Sequence, residues 1–82
     1  MMDALDRRIL LFIAAHAAAH GYPPTVREIA DEIGRDVSAT HGRLRRLEAS
    51  GLLTNTENSP RTRVLTAAGV EMVKGEKSDF NL

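Results

Sequence analysis

The stretch GYPPTVREIA, residues 21–30, decides how this chain folds. Its Gly21 is suited to end a helix, because glycine adopts the left-handed backbone conformation without strain. The two prolines that follow favour an extended backbone, since each restricts the residue before it. Thr25 then stands three positions before Glu28, which is the spacing of an N-terminal capping box. The stretch therefore predicts a helix that ends near residue 20, an extended connection, and a new helix that begins at residue 26.

Apolar spacing predicts a helix on each side of this connection. Residues 4–20 contain neither Pro nor Gly, and their main apolar stripe lies within about an 80° arc. That stripe consists of Leu5, Ile9, Phe12, Ile13, His16 and His20. In the second helix the apolar residues follow the i, i+3, i+4, i+7 pattern, and Gly34 ends it. They are Val26, Ile29, Ala30 and Ile33.

A third helix is predicted over residues 37–50. Its buried positions are expected to be Val37, Thr40, Leu44 and Leu47. Either Asp36 or Ser38 can cap its N-terminus, and Ser50 with Gly51 closes it. A short helix, a turn of about three or four residues and a longer helix form the outline of a helix-turn-helix.

The chain changes character after residue 51. Two short β-type segments, at 52–54 and 63–66, flank a polar loop that contains Pro60, which is typical of a hairpin. Thr66 can cap a last short helix that extends to about Lys74, although Gly69 weakens it. We expect a mainly α-helical fold with a small β-hairpin, in one domain over residues 1–74, followed by a flexible tail over residues 75–82.

Composition limits the function classes. The chain has 82 residues, 11 Lys and Arg against 11 Asp and Glu, and no Cys. A domain of this size has little room for a deep catalytic cleft, so we do not expect an enzyme. Without Cys there is no disulfide, thiol chemistry or Cys-based zinc site. The N-terminus lacks the basic region of a signal peptide and no apolar run is long enough for a membrane span, so we expect a cytoplasmic protein without membrane contact.

One face of the third helix suggests binding to DNA. Opposite its apolar residues lies Gly42, flanked by small side chains and arginines, so the backbone can approach a surface while long donors reach phosphates or guanine edges. The candidate contacts here are Ser38, Ala39, His41, Gly42, Arg43, Arg45 and Arg46. An ordinary solvated helix face with an accidental glycine would show a similar pattern, and the neighbouring elements favour DNA.

Two further groups support the same hypothesis. The hairpin loop offers hydrogen-bond donors and fixed positive charges suited to phosphate and minor-groove contacts, although a merely soluble turn has the same composition. Its candidate residues are Asn58, Ser59, Arg61 and Arg63. At the start of the second helix, Thr25 and Arg27 are expected to present backbone N–H groups and a cation to a phosphate. A plain N-cap is the alternative for Thr25.

No catalytic or cofactor site is indicated. His16 and His20 have the i, i+4 spacing of paired metal ligands, but no third ligand is apparent and both lie on the buried stripe. We therefore expect them at the edge of the core. Gly-rich phosphate loops, Ser-His-Asp sets and paired carboxylates are not evident, and neither is a small-molecule ligand.

Residues 5–68 resemble the winged helix-turn-helix DNA-binding domain of LexA-type repressors. The more specific motif is residues 21–30 with Ile33 and Gly34 after it, and LRRLEASGLL at 44–53 is similar to the helix exit and first wing strand of many winged-helix regulators. The resemblance implies that the third helix enters the major groove, that residues 55–63 form a wing on backbone or minor groove, and that binding is dimeric. Residues 1–82 show no resemblance to the self-cleaving protease domain of LexA repressors, and the turn after Gly34 is about one residue shorter, so we do not expect autoproteolysis or the operator sequence to carry over.

We interpret the chain as a sequence-specific regulator of transcription, a repressor, that binds double-stranded DNA as a homodimer or as copies paired on DNA. We expect a free-standing domain, which would fit a small regulator of a phage or mobile element. Two alternatives stay open: a winged-helix module that binds protein instead, and an architectural or recombination accessory factor. Charge along the chain agrees with DNA, because residues 37–66 hold five Arg against two Glu while the flanking segments are net acidic.

Overall fold

A computed structural model describes residues 3–55 and 63–80, with side chains up to residue 74. Its elements in chain order are α1 (Ala4–His20), α2 (Val26–Ile33), α3 (Val37–Ala49), β1 (Leu53–Asn55), β2 (Arg63–Leu65) and α4 (Ala67–Phe80). This order of three helices, a hairpin and a fourth helix confirms the predicted winged-helix fold. None of the helices in the described part of the chain is long and apolar enough to cross a membrane.

The helix boundaries confirm the sequence predictions for α1 and α2. Asp3 caps α1, since its Oδ1 accepts the backbone N–H of Asp6 over 2.9 Å. Gly21 ends α1 in the left-handed region, with φ 81°. In α2 both halves of the capping box are present: the Glu28 N–H donates to Thr25 Oγ1, and the Thr25 N–H donates to Glu28 Oε1.

The turn between α2 and α3 is short, as predicted. Gly34 ends α2 with φ 69°, and Asp36 rather than Ser38 caps α3. The Ala39 N–H donates to Asp36 Oδ1 over 2.7 Å. The helix-turn-helix is thus held by a cap on each side of the turn, and the N-cap Asp36 contributes about 1 kcal/mol.

The core lies where the first three helices and the first strand meet. Its buried side chains are Ile9, Leu10, Ile13, Val26, Ile29, Ile33, Leu44, Leu47 and Leu53. Thr40 is also fully buried, and its hydroxyl donates to the Asp36 carbonyl over 2.8 Å. Fully burying each large apolar side chain stabilises the fold by about 1.5–3 kcal/mol, which fixes α3 against α1 and α2.

The histidines of α1 differ from the prediction in one case. His16 is part-buried, whereas His20 is exposed. The prediction of an edge-of-core position is therefore wrong for His20, because this residue belongs to the last turn of α1, well beyond the last buried residue, Ile13.

The hairpin is antiparallel and its two strands are short. Leu53 pairs with Leu65, Thr54 with Val64, and Asn55 with Arg63. The register puts Leu53 in the core and brings both ends of the connecting loop to the exit of α3. Residues 56–62 lie outside the described part of the chain.

The last helix is longer than predicted. It continues past the expected end near Lys74 to Phe80, so the expected boundary of a tail at residue 75 falls within α4. A glycine inside a helix costs about 1 kcal/mol relative to Ala, and this weakens a helix without ending it.

Gly69 lets α4 start close to the exit of α3. A Cβ at this position would collide with the backbone carbonyl oxygen of Leu52. Thr66 reinforces the contact, since its hydroxyl donates to the Gly51 carbonyl over 2.5 Å and accepts the Gly69 N–H over 3.1 Å. Gly69, which the sequence presents as a weakness of the helix, is thus explained by packing.

Candidate nucleic-acid interface

The side of α3 that faces away from the core is formed by small residues and arginines. We call it the open face of α3, and its members are Ser38, Ala39, Gly42, Arg45, Arg46 and Ala49, all exposed. The buried residues Thr40, Leu44 and Leu47 lie on the opposite side. The predicted orientation of this helix is therefore confirmed.

Gly42 lies at the centre of the open face, and nothing within the described residues explains it. An ideal Cβ at this position would have no neighbouring heavy atom within 4 Å. The backbone φ is not in the left-handed region either, so alanine would fit without strain. A mid-helix glycine costs about 1 kcal/mol relative to alanine, and here no internal contact compensates for that cost.

Arg45 and Arg46 are the arginines of the open face. Arg45 is exposed and has no ion pair among the described residues. Arg46 keeps 64% of its side chain exposed while one guanidinium nitrogen lies 3.5 Å from Asp6 Oδ2. Both guanidinium groups are available to a ligand on this face.

Arg43, in contrast, points back toward α1. Its Nη1 donates to both carboxylate oxygens of Asp3, at 3.0 and 2.9 Å, and to Asp6 Oδ1 at 3.0 Å. Only 23% of the Arg43 side chain is exposed. We call this arrangement of Asp3, Asp6 and Arg43 the acidic clamp. The clamp therefore holds Arg43 within the domain, although the sequence analysis predicted that this arginine contacts DNA.

Hydrogen bonding within the clamp shifts two pKa values. The Arg43 guanidinium, followed by the backbone N–H of Asp6, lowers the pKa of Asp3 below its ordinary value. Asp3, followed by Asp6, raises the pKa of Arg43. Asp3 therefore carries its charge throughout the neutral range, and the clamp is an ion pair under ordinary conditions.

Arg63 is also engaged within the domain. Its Nε lies 3.0 Å from Glu48 Oε2, and only 11% of its side chain is exposed. The ion pair joins the second strand of the hairpin to the last turn of α3. Arg63 thus lies at the base of the predicted wing and packs against the helix.

The N-terminus of α2 only partly matches the predicted phosphate site. The Thr25 N–H is taken by Glu28 over 2.7 Å, so this donor is engaged in the capping box. Arg27 is exposed in the first turn of the helix. Of the two candidates here, Arg27 is the one whose side chain lies open to a ligand.

The remaining candidates are divided between described and undescribed parts of the chain. His41 is half-buried at the border of the open face. The loop candidates Asn58, Ser59 and Arg61 lie outside the described residues.

A small aromatic cluster stands apart from this surface. His16 contacts Phe12, His20 and Tyr22, with ring centroids 5.7, 4.4 and 5.6 Å away, and its Nδ1 lies 3.1 Å from the Tyr22 carbonyl oxygen. Its Nε2 is 3.8 Å from Glu28 Oε1. In the described residues no group of three or more His, Cys, Asp or Glu side chains is arranged to hold a metal ion.

Sequence reasoning missed the three carboxylates that engage the arginines. Asp3 and Asp6 have the spacing of a capped helix start, which reveals their position but not their partner, 40 and 37 residues away. Glu48 stands on α3 itself and was counted only as a charge. Packing the predicted buried face of α1 against that of α3 would have predicted that Asp6 lies close to Arg43.

Comparison with known proteins shows the family of this chain. A family model described as the LexA DNA binding domain matches residues 2–62. The chain belongs to this family. The resemblance inferred from residues 21–30 and 44–53 is thereby confirmed.

Relatives of this LexA-type domain are full-length repressors. The chain is 44% identical over 66 residues to the LexA repressor of Ligilactobacillus salivarius, covering 79% of the chain and 32% of the relative. It is 48% identical over 64 residues to the LexA repressor of Bacillus subtilis, covering 73% of the chain and 31% of the relative. The chain thus spans about a third of the length of these repressors.

Solved structures of other regulators share the fold. MepR, a transcription regulator of the Staphylococcus aureus multidrug efflux pump MepA, superposes with a TM-score of 0.78 at 22% identity, covering 98% of this chain and 57% of that one. The transcriptional regulator Tm0710 from Thermotoga maritima superposes with a TM-score of 0.69 at 26% identity, covering 96% and 56%. The long α4 is included in this likeness, since nearly all of the chain is covered.

Proposed function

We propose that this LexA-type domain binds double-stranded DNA sequence-specifically and represses transcription, with the open face of α3 in the major groove. The observation that carries the proposal is Gly42, a glycine at the centre of an exposed helix face with no internal partner. A helix is about 10–12 Å across and the major groove about 12 Å wide, so a helix with small residues on its leading face fits deeply.

Small residues and arginines around Gly42 supply the expected contacts. Ser38 and Ala39 belong to the first turn of α3, and recognition helices of this class contact base edges mainly with their N-terminal residues. Arg45 and Arg46 follow along the same face and suit phosphate oxygens or guanine. Arg27 at the start of α2 adds a candidate phosphate contact.

The wing is the second part of the proposal. Residues 55–63 connect two strands whose first residue pair sits beside the core, and Arg63 ties the hairpin to the end of α3. We propose that Asn58, Ser59 and Arg61 contact the backbone or minor groove next to the site read by α3. In this arrangement Arg63 positions the wing through Glu48.

We further propose that two copies bind together. A single module of this size buries only a modest area on DNA, and LexA-type recognition of a two-part site needs a pair. Selection of bound sequences from a randomised duplex pool tests this, because paired half-sites at a fixed spacing would appear in the selected pool. A single undivided motif bound by one copy would contradict the pairing.

Replacement of Gly42 by glutamate is the direct test of the interface. Gly42→Glu places a bulky anion at the centre of the open face, and we expect affinity for a selected duplex to fall at least roughly tenfold, or about 1.4 kcal/mol. Ala18→Glu is the matched control, since it adds the same charge at an exposed position of α1. Both proteins are expected to remain folded by circular dichroism.

The same titrations discriminate among the candidate functions. Equal losses for the two glutamate variants would mean that only net charge matters, and retained affinity of Gly42→Glu would remove α3 from the interface. Absence of salt-dependent binding to any duplex would favour the protein-binding module instead. Strong binding without a selected sequence would favour an architectural factor.

A further inference from the structure

The acidic clamp brings two carboxylates from the start of α1 against the side of α3. Asp6 is the buried member, with only 6% of its side chain exposed, and Arg43 and Arg46 are the cations beside it. Asp3 caps α1, and both of its carboxylate oxygens accept from Arg43 Nη1, whose two N–H groups are shared among these oxygens and Asp6 Oδ1. Hydrogen bonds between charged groups are shorter and stronger than neutral ones, so Arg43 has a well-defined place.

Leaving this place would be costly for Arg43. A phosphate contact through Nη1 would replace its contacts with Asp3 and Asp6 and would leave the buried Asp6 with only the longer 3.5 Å contact to Arg46. A buried charge without a good partner is strongly unfavourable. One new ion pair at a solvated DNA surface does not compensate for that loss.

We propose that Asp3 and Asp6 are positioning residues that withhold Arg43 from DNA phosphates. This inference rests on the proposed function, in which the open face of α3 meets DNA. Sequence-independent affinity depends on how many phosphates the protein neutralises, at a slope of about 0.9 in log affinity against log salt per contact. By removing one arginine from that set, the clamp lowers affinity for random DNA and leaves base recognition to the open face.

The clamp also gives different environments to Arg43 and Arg45, which the sequence alone does not distinguish. Arg43 and Arg45 are two residues apart on one helix, yet Arg43 is hydrogen bonded inside the domain and Arg45 is exposed. Substituting each by glutamine removes the same charge from the same helix. The two variants therefore form a matched pair.

Titration of a random duplex across a salt series tests the proposal. We expect Arg45→Gln to reduce the log–log slope by about 0.9 and Arg43→Gln to leave it unchanged. Arg43→Gln is instead expected to lower the melting temperature, while Arg45→Gln does not. If both substitutions reduce the log–log slope equally, the inference about Arg43 is overturned and the proposed function stays intact. If both slopes are unchanged and Gly42→Glu still binds fully, the proposed function itself is overturned.

Asp3→Asn is the complementary test, because it should add a phosphate contact where the previous variants remove one. Asparagine caps helices about as well as aspartate, so α1 is expected to remain intact. Losing the carboxylate removes the Asp3 charge and leaves Arg43 with Asp6 as its acidic partner, so Arg43 should reach DNA phosphates in part of the population. We expect the slope to steepen by up to about 0.9, and the random-duplex affinity at 50 mM relative to 200 mM salt to rise by up to about three- to fourfold more than in the parent. Adding Arg43→Gln to Asp3→Asn should restore the parent slope. A slope that Asp3→Asn does not change would overturn the assignment, since a purely structural role of Asp3 affects stability and not salt dependence.

Discussion

Gly42 in α3 and Gly69 in α4 lie within helices at comparable intrinsic cost, but for opposite reasons. Gly69 is buried, and the backbone of Leu52 occupies the space where its side chain would be. Gly42 is exposed, and nothing in the described structure approaches it. The fold explains Gly69, and for Gly42 we propose that the explanation is a DNA surface outside the domain. A residue that a structure leaves unexplained is thus informative about what the molecule binds.

We expect the largest effect on folding stability from Gly69→Ala. Its added methyl group meets a backbone carbonyl that cannot rotate away, and overpacking of this kind costs about 1–3 kcal/mol. Thermal unfolding followed by circular dichroism should show a melting temperature lower by roughly 4–8 °C per kcal/mol for a domain of this size. A variant as stable as the parent would mean that α4 does not pack closely on Leu52.

A smaller loss is expected from Thr66→Val, at the same junction. Valine keeps the shape of threonine but cannot accept the Gly69 N–H or donate to the Gly51 carbonyl. Loss of such a cap costs about 1 kcal/mol. Thr66→Ser retains the hydroxyl and is the control, so chemical denaturation should place it close to the parent. A Thr66→Val variant as stable as the parent would mean that the two hydrogen bonds of the hydroxyl do not stabilise this junction.

Gly42→Ala is expected to have the smallest effect on stability, and in the opposite direction. Alanine removes the helix penalty of glycine without meeting any described atom, so the domain should gain up to about 1 kcal/mol. If the backbone at this position approaches DNA, the same variant should bind its selected duplex more weakly despite its greater stability. Higher stability with unchanged affinity would contradict a role of Gly42 in DNA binding and would make this glycine accidental.

Local signals in the sequence are sufficient for most of the fold. The glycines at 21 and 34, the capping box of α2 and the apolar spacing of α3 act within a few residues, and the helix boundaries follow from them. The end of α4 is less predictable, because weak helix formers such as glycine do not define a stop. The explanation of Gly69 depends on a carbonyl oxygen in another element.

The candidate site also has a part that the sequence predicts and a part that requires the tertiary structure. The exposure of Gly42, Arg45 and Arg46 follows from helical periodicity alone. The pairing of Arg43 with Asp3 and Asp6 does not, because it requires knowing that the start of α1 lies beside α3. Residues 37–66 contain five arginines, and a count of charges along the sequence treats all of them as available. In the folded domain, Asp6 of α1 lies beside two of them, Arg43 and Arg46.

The hairpin has a consequence for protein engineering. Its loop begins and ends at the paired residues Asn55 and Arg63, and Arg63 is in turn held by Glu48 at the end of α3. These two residues are therefore defined graft points. We expect that a connecting segment of different length or chemistry can be inserted between them while the core and α3 keep their positions. In the proposed DNA complex, new contacts with the DNA backbone could then be selected independently of base recognition by α3.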